Sequence, residues 1–478
     1  MLTAVTVWLH MFWPLMLAAL SLAVSVAASL HILIHRDDPR GSLGWIGLVW
    51  LVPVGGGLLY LVFGINRIAR RARLLRPHGG AGGRGAETRV ADTALPAGNQ
   101  WRELRRLMDR VNDTPLLPGN RIDMLRNGEE CYPAMLDAIG SARHSVGLSS
   151  FILGNDDWGG RFIEALGAAV ERGVEVRVLI DGAGQYYTFP PIGRRLGRSG
   201  VPYALFIHSL LPWRMPYLNL RNHRKILVVD GCRGFTGGMN ISAKQSGNPP
   251  LARDVHFRVA GPVVSQMVQV FADDWGFTTG ERLAGTRWFR EPEHAGRALA
   301  RGIPDGPDED FDKCRWTLLG GVGAARRRIL VGTPYFLPDD ELIMALSHAA
   351  LRGVEVDIVL PGSNNWPFVQ WAANTILDRL LRSGCRVWFS SGGFDHSKYL
   401  VVDGTWCLVG SANWDPRSLR LNFEFNLETF DPALAMGLER YADFVISSAH
   451  PVTQEALRNR PLPVQLRDGV ARLMTPYL

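Results

Sequence analysis

The chain has 478 residues, long enough for two or three domains with sizeable cores, and its 47% hydrophobic content is high for a wholly soluble protein. Five cysteines, odd in number and with no CxxC pair, exclude a disulfide framework and a zinc site and fit a reducing compartment. The formal net charge of +7 suits a surface lying against anionic lipid, and by itself would suit nucleic acid equally.

The apolar surplus lies at the start. Met1 to Ile34 contains no Asp, Glu, Lys or Arg, and after "HRDDPR" a second apolar run extends from about Gly44 to Gly64. A bilayer core takes roughly 20 apolar helical residues, so residues 1–65 read as an anchor of two transmembrane helices. A secretory signal peptide would begin with basic residues and have a shorter apolar stretch. "NRIARRARLLRPH" follows the second run with Arg67, Arg70, Arg71, Arg73 and Arg76 and no acid, whereas "HRDDPR" is balanced. Arginines next to a span stay inside. The expectation is a multi-pass membrane protein with its N-terminus and everything after residue 66 in the cytoplasm. Residues 66–100, basic and then Gly-rich, read as a juxtamembrane segment and flexible linker. The linker's "GGAGGRG" is not followed by GK[ST] and so is no phosphate-binding loop.

Beyond the linker the chain repeats. "RGVEVRVLIDG" from 172 returns as "RGVEVDIVLPG" from 352, "HRKILVVDG" from 223 as "HSKYLVVDG" from 396, and "GGMN" from 237 as "GSAN" from 410. The near-constant offset marks a duplicated domain, with boundaries drawn at 101–290 and 291–478. In each copy a helical pattern, "GRFIEALGAAVERG" or "DELIMALSHAALRG", leads into a β-branched run. This predicts an α/β fold in which helices cover a sheet, the copies being related by a pseudo-two-fold axis. The polar, turn-rich "REPEHAGRALARGIPDGPDEDFD" at about 290–312 reads as the join.

Only four lysines occur in the chain, and two of them sit in the repeated pattern His, any residue, Lys, four residues, Asp: His223, Lys225 and Asp230, then His396, Lys398 and Asp403. These six are the candidate catalytic motif residues. If each motif is a strand, His and Lys two apart project to one side as a pair, while the Asp, an odd number of residues farther on, is turned away. Asp230 and Asp403 are therefore expected to hold the turn at "VVDG". Downstream, "DVHF" and "NFEFNLE" supply a carboxylate to each copy. Asp254 and Glu424 are the candidates to orient the histidines, since a carboxylate on one ring nitrogen makes the other a better nucleophile. Asn240 and Asn413 join Lys225 and Lys398 as candidate phosphate-binding groups. Two His, two Lys and two Asn without a metal describe a site for a phosphodiester: one imidazole attacks phosphorus, the other protonates the departing oxygen, and the cations neutralise the oxygens between them. A compact ammonium fits beside a crowded phosphorus where the planar fork of Arg would not. A lone HxK is a weak signal; two matching motifs with matching downstream Gly and Asn are a strong one.

Just before the first motif, "FIHSLLPWRMPYLNLRNH" crowds Leu210, Leu211, Trp213 and Tyr217 around Pro212 and Pro216. The prolines argue for a loop beside His223, read either as folded onto the core or as dipping into the bilayer interface to give lipid access.

The paired motifs with their following GG/GSxN resemble the phospholipase D superfamily. Nearly the whole chain, including "GWIGLVWLVPVGGGLLYLVFG", "TPYFLPDD" and "SANWDPRSLRLNFEFNLE", is similar to the bacterial cardiolipin synthases with two N-terminal membrane helices. The resemblance implies phosphatidyl transfer between two phosphatidylglycerols through a phosphatidyl-histidine, giving cardiolipin and glycerol. The essential His and Lys fall on His223, Lys225, His396 and Lys398, and downstream acids orient the histidines. It implies no cofactor and no metal, membrane phospholipids and the anionic membrane surface as partners, and no nucleic acid. A hydrolase that uses water, or a transferase with another donor or acceptor alcohol, shares every motif. A membrane-tethered nuclease is opposed by the double anchor, and a non-enzymatic scaffold would be expected to have lost a motif His or Lys.

Overall fold

A computed structural model describes residues 2–36, 39–61, 95–206, 220–247, 251–308 and 310–475. The chain divides into two compact units, Met1–Arg71 and Ala72–Leu478.

In the first unit the helix Leu2–His35 contains the apolar stretch Phe12–His35, long enough to cross a membrane. The second apolar run differs from the expected single helix. It forms Pro39–Leu51 and, after a break at Val52, Pro53–Leu59. Pro53 has no N–H to continue the ladder, so a new helix starts with proline in its first turn. These pieces pack on the first helix: Ser25 Oγ donates to the Val49 carbonyl at 3.0 Å, and His31 Nδ1 lies 2.8 Å from Tyr60 Oη.

The second unit is built from two copies of one strand set. The first contributes β1 (Leu117–Arg126), β2 (Ser145–Ser150), β3 (Glu175–Asp181), β4 (Tyr203–Phe206), β5 (Arg221–Asn222), β6 (Ile226–Val229), β7 (Arg233–Gly237), β8 (Ala252–Arg253) and β9 (Val255–Ala260). The second contributes β10 (Ala298–Asp305), β11 (Arg328–Gly332), β12 (Glu355–Pro361), β13 (Arg386–Ser390), β14 (Phe394–Asp395), β15 (Tyr399–Val402), β16 (Trp406–Gly410), β17 (Asn422–Phe430) and β18 (His450–Pro451). The hydrogen-bonded order β4-β3-β2-β6-β7-β9-β1 recurs as β13-β12-β11-β15-β16-β17-β10, with β18 added outside β13. The inner strands β1 and β10 pair with each other, which joins the two sheets along the pseudo-two-fold. Helices Asp157–Glu171 and Asp340–Leu351 precede β3 and β12 as the apolar periodicity predicts, their first turns capped by Asp156 and Asp339.

Three features depart from the sequence reading. The presumed join at 290–312 contains β10, paired along most of its length with β17 and at Ala298 and Ala300 with β1, because "ALARGIPD" is a buried strand despite its turn-forming residues. Helix Asn99–Val111, placed by the sequence boundary at the edge of the first copy, packs in the core of the second: Trp101, Leu104 and Met108 cluster with Leu318 and Val322, and the Trp101 ring stands edge-on to Phe430 at 5.9 Å. The motif itself is no continuous strand. Residues 223–225 and 396–398 interrupt β5/β6 and β14/β15, since the segments on either side pair with different copies.

The motif aspartates sit in the Asp-Gly turns after β6 and β15, at φ +53° and +54°, each followed by a glycine of positive φ. Asp230 accepts from the backbone N–H groups of Arg143, His144 and Ser145, and Asp403 from those of Arg326, Arg327 and Arg328. Each carboxylate thereby pins the chain entering β2 or β11. Four strand residues separate it from its motif Lys, so the two lie on the order of 15 Å apart along extended chain. Asp230→Ala and Asp403→Ala should each destabilise the protein by roughly 3 kcal/mol, from three partly buried donors left unpaired and a left-handed residue without a polar side chain. Thermal unfolding in detergent would show the loss. Turnover per folded molecule, measured well below the transition, should stay near that of the parent chain.

Candidate active site

The short strands before the motifs carry the chain across to the other copy. β5 pairs with β17 so that Asn222 opposes Phe423, and the His223 N–H donates to the Phe423 carbonyl at 2.9 Å. β14 pairs with β8 so that Asp395 opposes Arg253, and the His396 N–H donates to the Arg253 carbonyl at 2.7 Å. The next residue on each partner strand is the carboxylate. His223 Nδ1 therefore meets Glu424 at 2.9 and 3.0 Å, and His396 Nδ1 meets Asp254 at 2.8 Å. Both acids named from the sequence do hold histidines, but each serves the histidine of the opposite copy. With Nδ1 engaged, Nε2 of each ring is left for chemistry.

The two carboxylates have different surroundings. Glu424 also accepts from Ser411 Oγ at 2.5 Å and Asn422 Nδ2 at 3.1 Å. Burial alone would raise it, yet His223, Lys225 and these hydrogen bonds hold it below the ordinary glutamate value. Asp254 accepts from Gln245 Nε2 at 3.1 Å and from the Val255 N–H at 2.8 Å. Burial, with Asp395 adding repulsion, outweighs the pull of the lysines and pushes Asp254 up to about 8. His223 is driven down to about 4, chiefly by burial, and His396 is held well below the imidazole range by burial, Lys398, Lys225 and His223.

Lys225 and Lys398 are buried, and each folds its Nζ back to donate to the carbonyl of its own motif histidine. Burial lowers Lys225 to about 7 and Lys398 to about 8. Each feels the other and both carboxylates, so the two motifs share one electrostatic site. An anionic phosphodiester entering it would restore both ammonium charges. The Asn240 Oδ1 accepts from the Ile152 N–H at 3.1 Å, which orients the amide, while Asn413 Nδ2 donates to Ser418 Oγ at 3.1 Å and so is engaged by a neighbour. Leu210, Leu211, Trp213 and Tyr217 lie outside the described residues.

Sequence reasoning missed several residues that shape the site. Phe151 stands edge-on to His223 at 5.2 Å, and Tyr335 to His396 at 6.4 Å. Arg224, the middle residue of the first motif, is buried and donates to the Glu424 carbonyl, to Asp274 and to the Asp305 carbonyl, fastening the carboxylate strand from behind. Ser411 was legible as one of the two differences between "GGMN" and "GSAN". Its counterpart Gly238 has no room for a side chain: an added Cβ would come within 2.6 Å of Asp254 Oδ1 and 3.0 Å of the His396 carbonyl.

With this geometry in view, the similarity to known proteins is decisive. The chain matches the family described as "Cardiolipin synthase, PLD-like domain" over residues 135–275 and 319–444, one stretch in each copy. The chain belongs to the phospholipase D-like cardiolipin synthase family. It is accordingly a membrane-associated phosphatidyltransferase that acts on phospholipids. Residues 23–64 match the family described as "Phospholipase_D-nuclease N-terminal". It is 30% identical to a cardiolipin synthase of Geobacillus sp. (strain WCH70) over 97% of this chain and 94% of that one. It is also 32% identical to cardiolipin synthase A of Pseudomonas fluorescens (strain SBW25), over 94% and 95% respectively. Among solved structures, the phosphatidylserine synthase of Haemophilus influenzae Rd KW20 is similar in fold, with a TM-score of 0.59 and 14% identity over 79% of this chain and 100% of that chain.

The Gly238/Ser411 difference yields a direct expectation. Ser411→Ala removes one hydrogen bond from Glu424 and should lower kcat by about tenfold with KM little changed; Gly238→Ala forces Asp254 aside and should cost about a hundredfold. Steady-state kinetics of the two variants, beside their melting curves, would check the order.

Proposed function

We propose that the enzyme moves a phosphatidyl group from one phosphatidylglycerol to the glycerol hydroxyl of a second, forming cardiolipin and releasing glycerol. The observation that carries the mechanism is the crossed geometry, in which Glu424 holds His223 and Asp254 holds His396 through Nδ1, in surroundings that push the two carboxylates in opposite directions. Glu424, ionised, accepts the Nδ1 proton of His223 and leaves a lone pair on Nε2. Asp254, pushed upward, keeps a proton on its pair with His396, which places a proton on His396 Nε2. His223 is then the nucleophile and His396 the acid.

In the first step His223 Nε2 attacks phosphorus, the bond to the glycerol oxygen breaks, and that oxygen takes the proton from His396 Nε2. Lys225 and Lys398 neutralise the phosphoryl oxygens as charge builds, and Asn240 and Asn413 line the same site. In the second step the hydroxyl of the incoming lipid gives its proton to His396 Nε2 and attacks phosphorus, and the P–N bond breaks to restore His223. One phosphodiester replaces another, so no energy-supplying cofactor is needed. The five arginines after residue 66 support a hairpin anchor with the catalytic unit on the cytoplasmic side.

Purified full-length protein given phosphatidylglycerol alone should yield cardiolipin and glycerol in equal amounts by lipid and headgroup analysis; phosphatidic acid in place of cardiolipin would overturn the reading. The assignment of roles has its own test. On a phosphodiester with a 4-nitrophenyl leaving group, which departs without protonation, His396→Ala should still give a burst of one nitrophenolate per enzyme, while His223→Ala should give none.

The pH dependence follows from the same groups. The His396–Asp254 pair loses its proton as pH rises through about 8, and Lys225 and Lys398 lose theirs through about 7 and 8. His223 gains a proton, and loses its lone pair, only near pH 4. The profile of kcat/KM should therefore be broad on the acid side and fall above pH 7 to 8.

A further inference from the structure

Two segments carry aromatic side chains that stay exposed among the described residues. After β3, Tyr186, Tyr187 and Phe189 are 57%, 54% and 93% exposed; after β12, the equivalent position in the second copy, Trp366 and Phe368 are 52% and 51% exposed. Scattered apolar residues on a surface are ordinary. These are not scattered. Each group occupies the loop that follows the same strand of the repeat, and each loop is tied to the ring that abuts a catalytic histidine. Tyr187 stands edge-on to Phe151, the neighbour of His223, at 5.7 Å. Tyr335, the neighbour of His396, donates to Asn365 Oδ1 at 2.7 Å, next to Trp366. Tyr187 also lies within electrostatic reach of Tyr335, so the two loops lie near one another beside the two histidines.

The aromatics are held outward. In the first loop Asn155 binds the Pro190 carbonyl and the Thr188 hydroxyl, and Asp181 accepts from the N–H groups of Ala183 and Gly184. In the second, Asn364 bonds the Pro334 carbonyl and the Trp366 N–H. The chain that follows the first aromatic group is basic, and the second group lies in an uncharged stretch. From Gly182 to Val229 the chain has no Asp or Glu, and Arg194 and Arg198 stand exposed just past Phe189; residues 362–377 carry no charge at all.

We propose that these two loops form a rim that docks the catalytic unit on the surface of an anionic bilayer, with the aromatics at headgroup depth and the arginines on the phosphates. Aromatic side chains are favoured at that interface, and basic groups near an anionic surface add about 1 kcal/mol each. The site then opens into the headgroup layer, and a phosphodiester reaches the histidines while its acyl chains stay in the membrane. The inference rests on the lipid-transfer reading and adds a second attachment, distinct from the N-terminal helices.

Neither Phe189 nor Trp366 touches a catalytic histidine, so the test is Phe189→Ser with Trp366→Ser in the full-length enzyme, reconstituted in vesicles of phosphatidylglycerol and phosphatidylcholine. The double variant should lose at least tenfold in rate on vesicle lipid and stay within twofold of the parent on dihexanoyl phosphatidylglycerol below its micelle concentration. Equal losses on both substrates would overturn the rim. As a second measurement, a fluorophore on Phe189→Cys, in a Cys232→Ser background, should be quenched by lipids brominated near the headgroup end of the acyl chain; no quenching would also overturn it. Failure of the parent enzyme to make cardiolipin from either substrate would instead overturn the lipid-transfer reading.

Discussion

The arrangement of the site depends on one crossing: the strand that leads into each motif histidine pairs with the carboxylate strand of the other copy. The backbone bonds from His223 to Phe423 and from His396 to Arg253 fix the register, and the register places Glu424 and Asp254 one residue on, against the imidazoles. Duplication has therefore produced one site and not two. A single copy would bury its carboxylate with no imidazole to answer it, and an unanswered buried charge is strongly destabilising.

The crossing also explains how so many ionisable groups are tolerated in one dry place. Two lysines, two carboxylates and His396 are buried together with the half-buried His223, and burial works against every charged form. The site settles by neutralising part of itself: the histidines are held neutral, the lysines are lowered toward neutral pH, and Asp254 is raised while Glu424 stays ionised. The charge deficit is what an anionic phosphodiester supplies. Donors already in place when it arrives need no reorganisation during reaction.

The copies share a plan and have diverged where the roles differ. Ser411 gives Glu424 a donor that Gly238 cannot give Asp254. Arg224 braces the Glu424 strand, while its counterpart Ser397 bonds Tyr441. The serine helps to hold the carboxylate behind His223 below its ordinary value, and the arginine fixes the strand that carries it. Symmetric geometry with asymmetric protonation is what a displacement needs, since one imidazole must lack the proton that the other gives.

The sequence by itself determined the duplication, the helix-then-strand units, the first membrane-length helix, the four motif residues and both orienting acids, because each is written in local spacing: strand alternation, helical periodicity and a repeat offset. The turn role of Asp230 and Asp403 was legible for the same reason, from their odd distance to His and Lys. Tertiary structure alone decided which acid serves which histidine, that helix Asn99–Val111 closes the core of the second copy, and that "ALARGIPD" is a central strand. It also gave Glu424 and Asp254 different surroundings, which push their pKa values in opposite directions. Periodicity records which way a side chain points from its own segment and is silent about which remote segment it meets. A pKa depends on the groups that surround the acid and on the water excluded from it, and both are set only when the two copies close on each other.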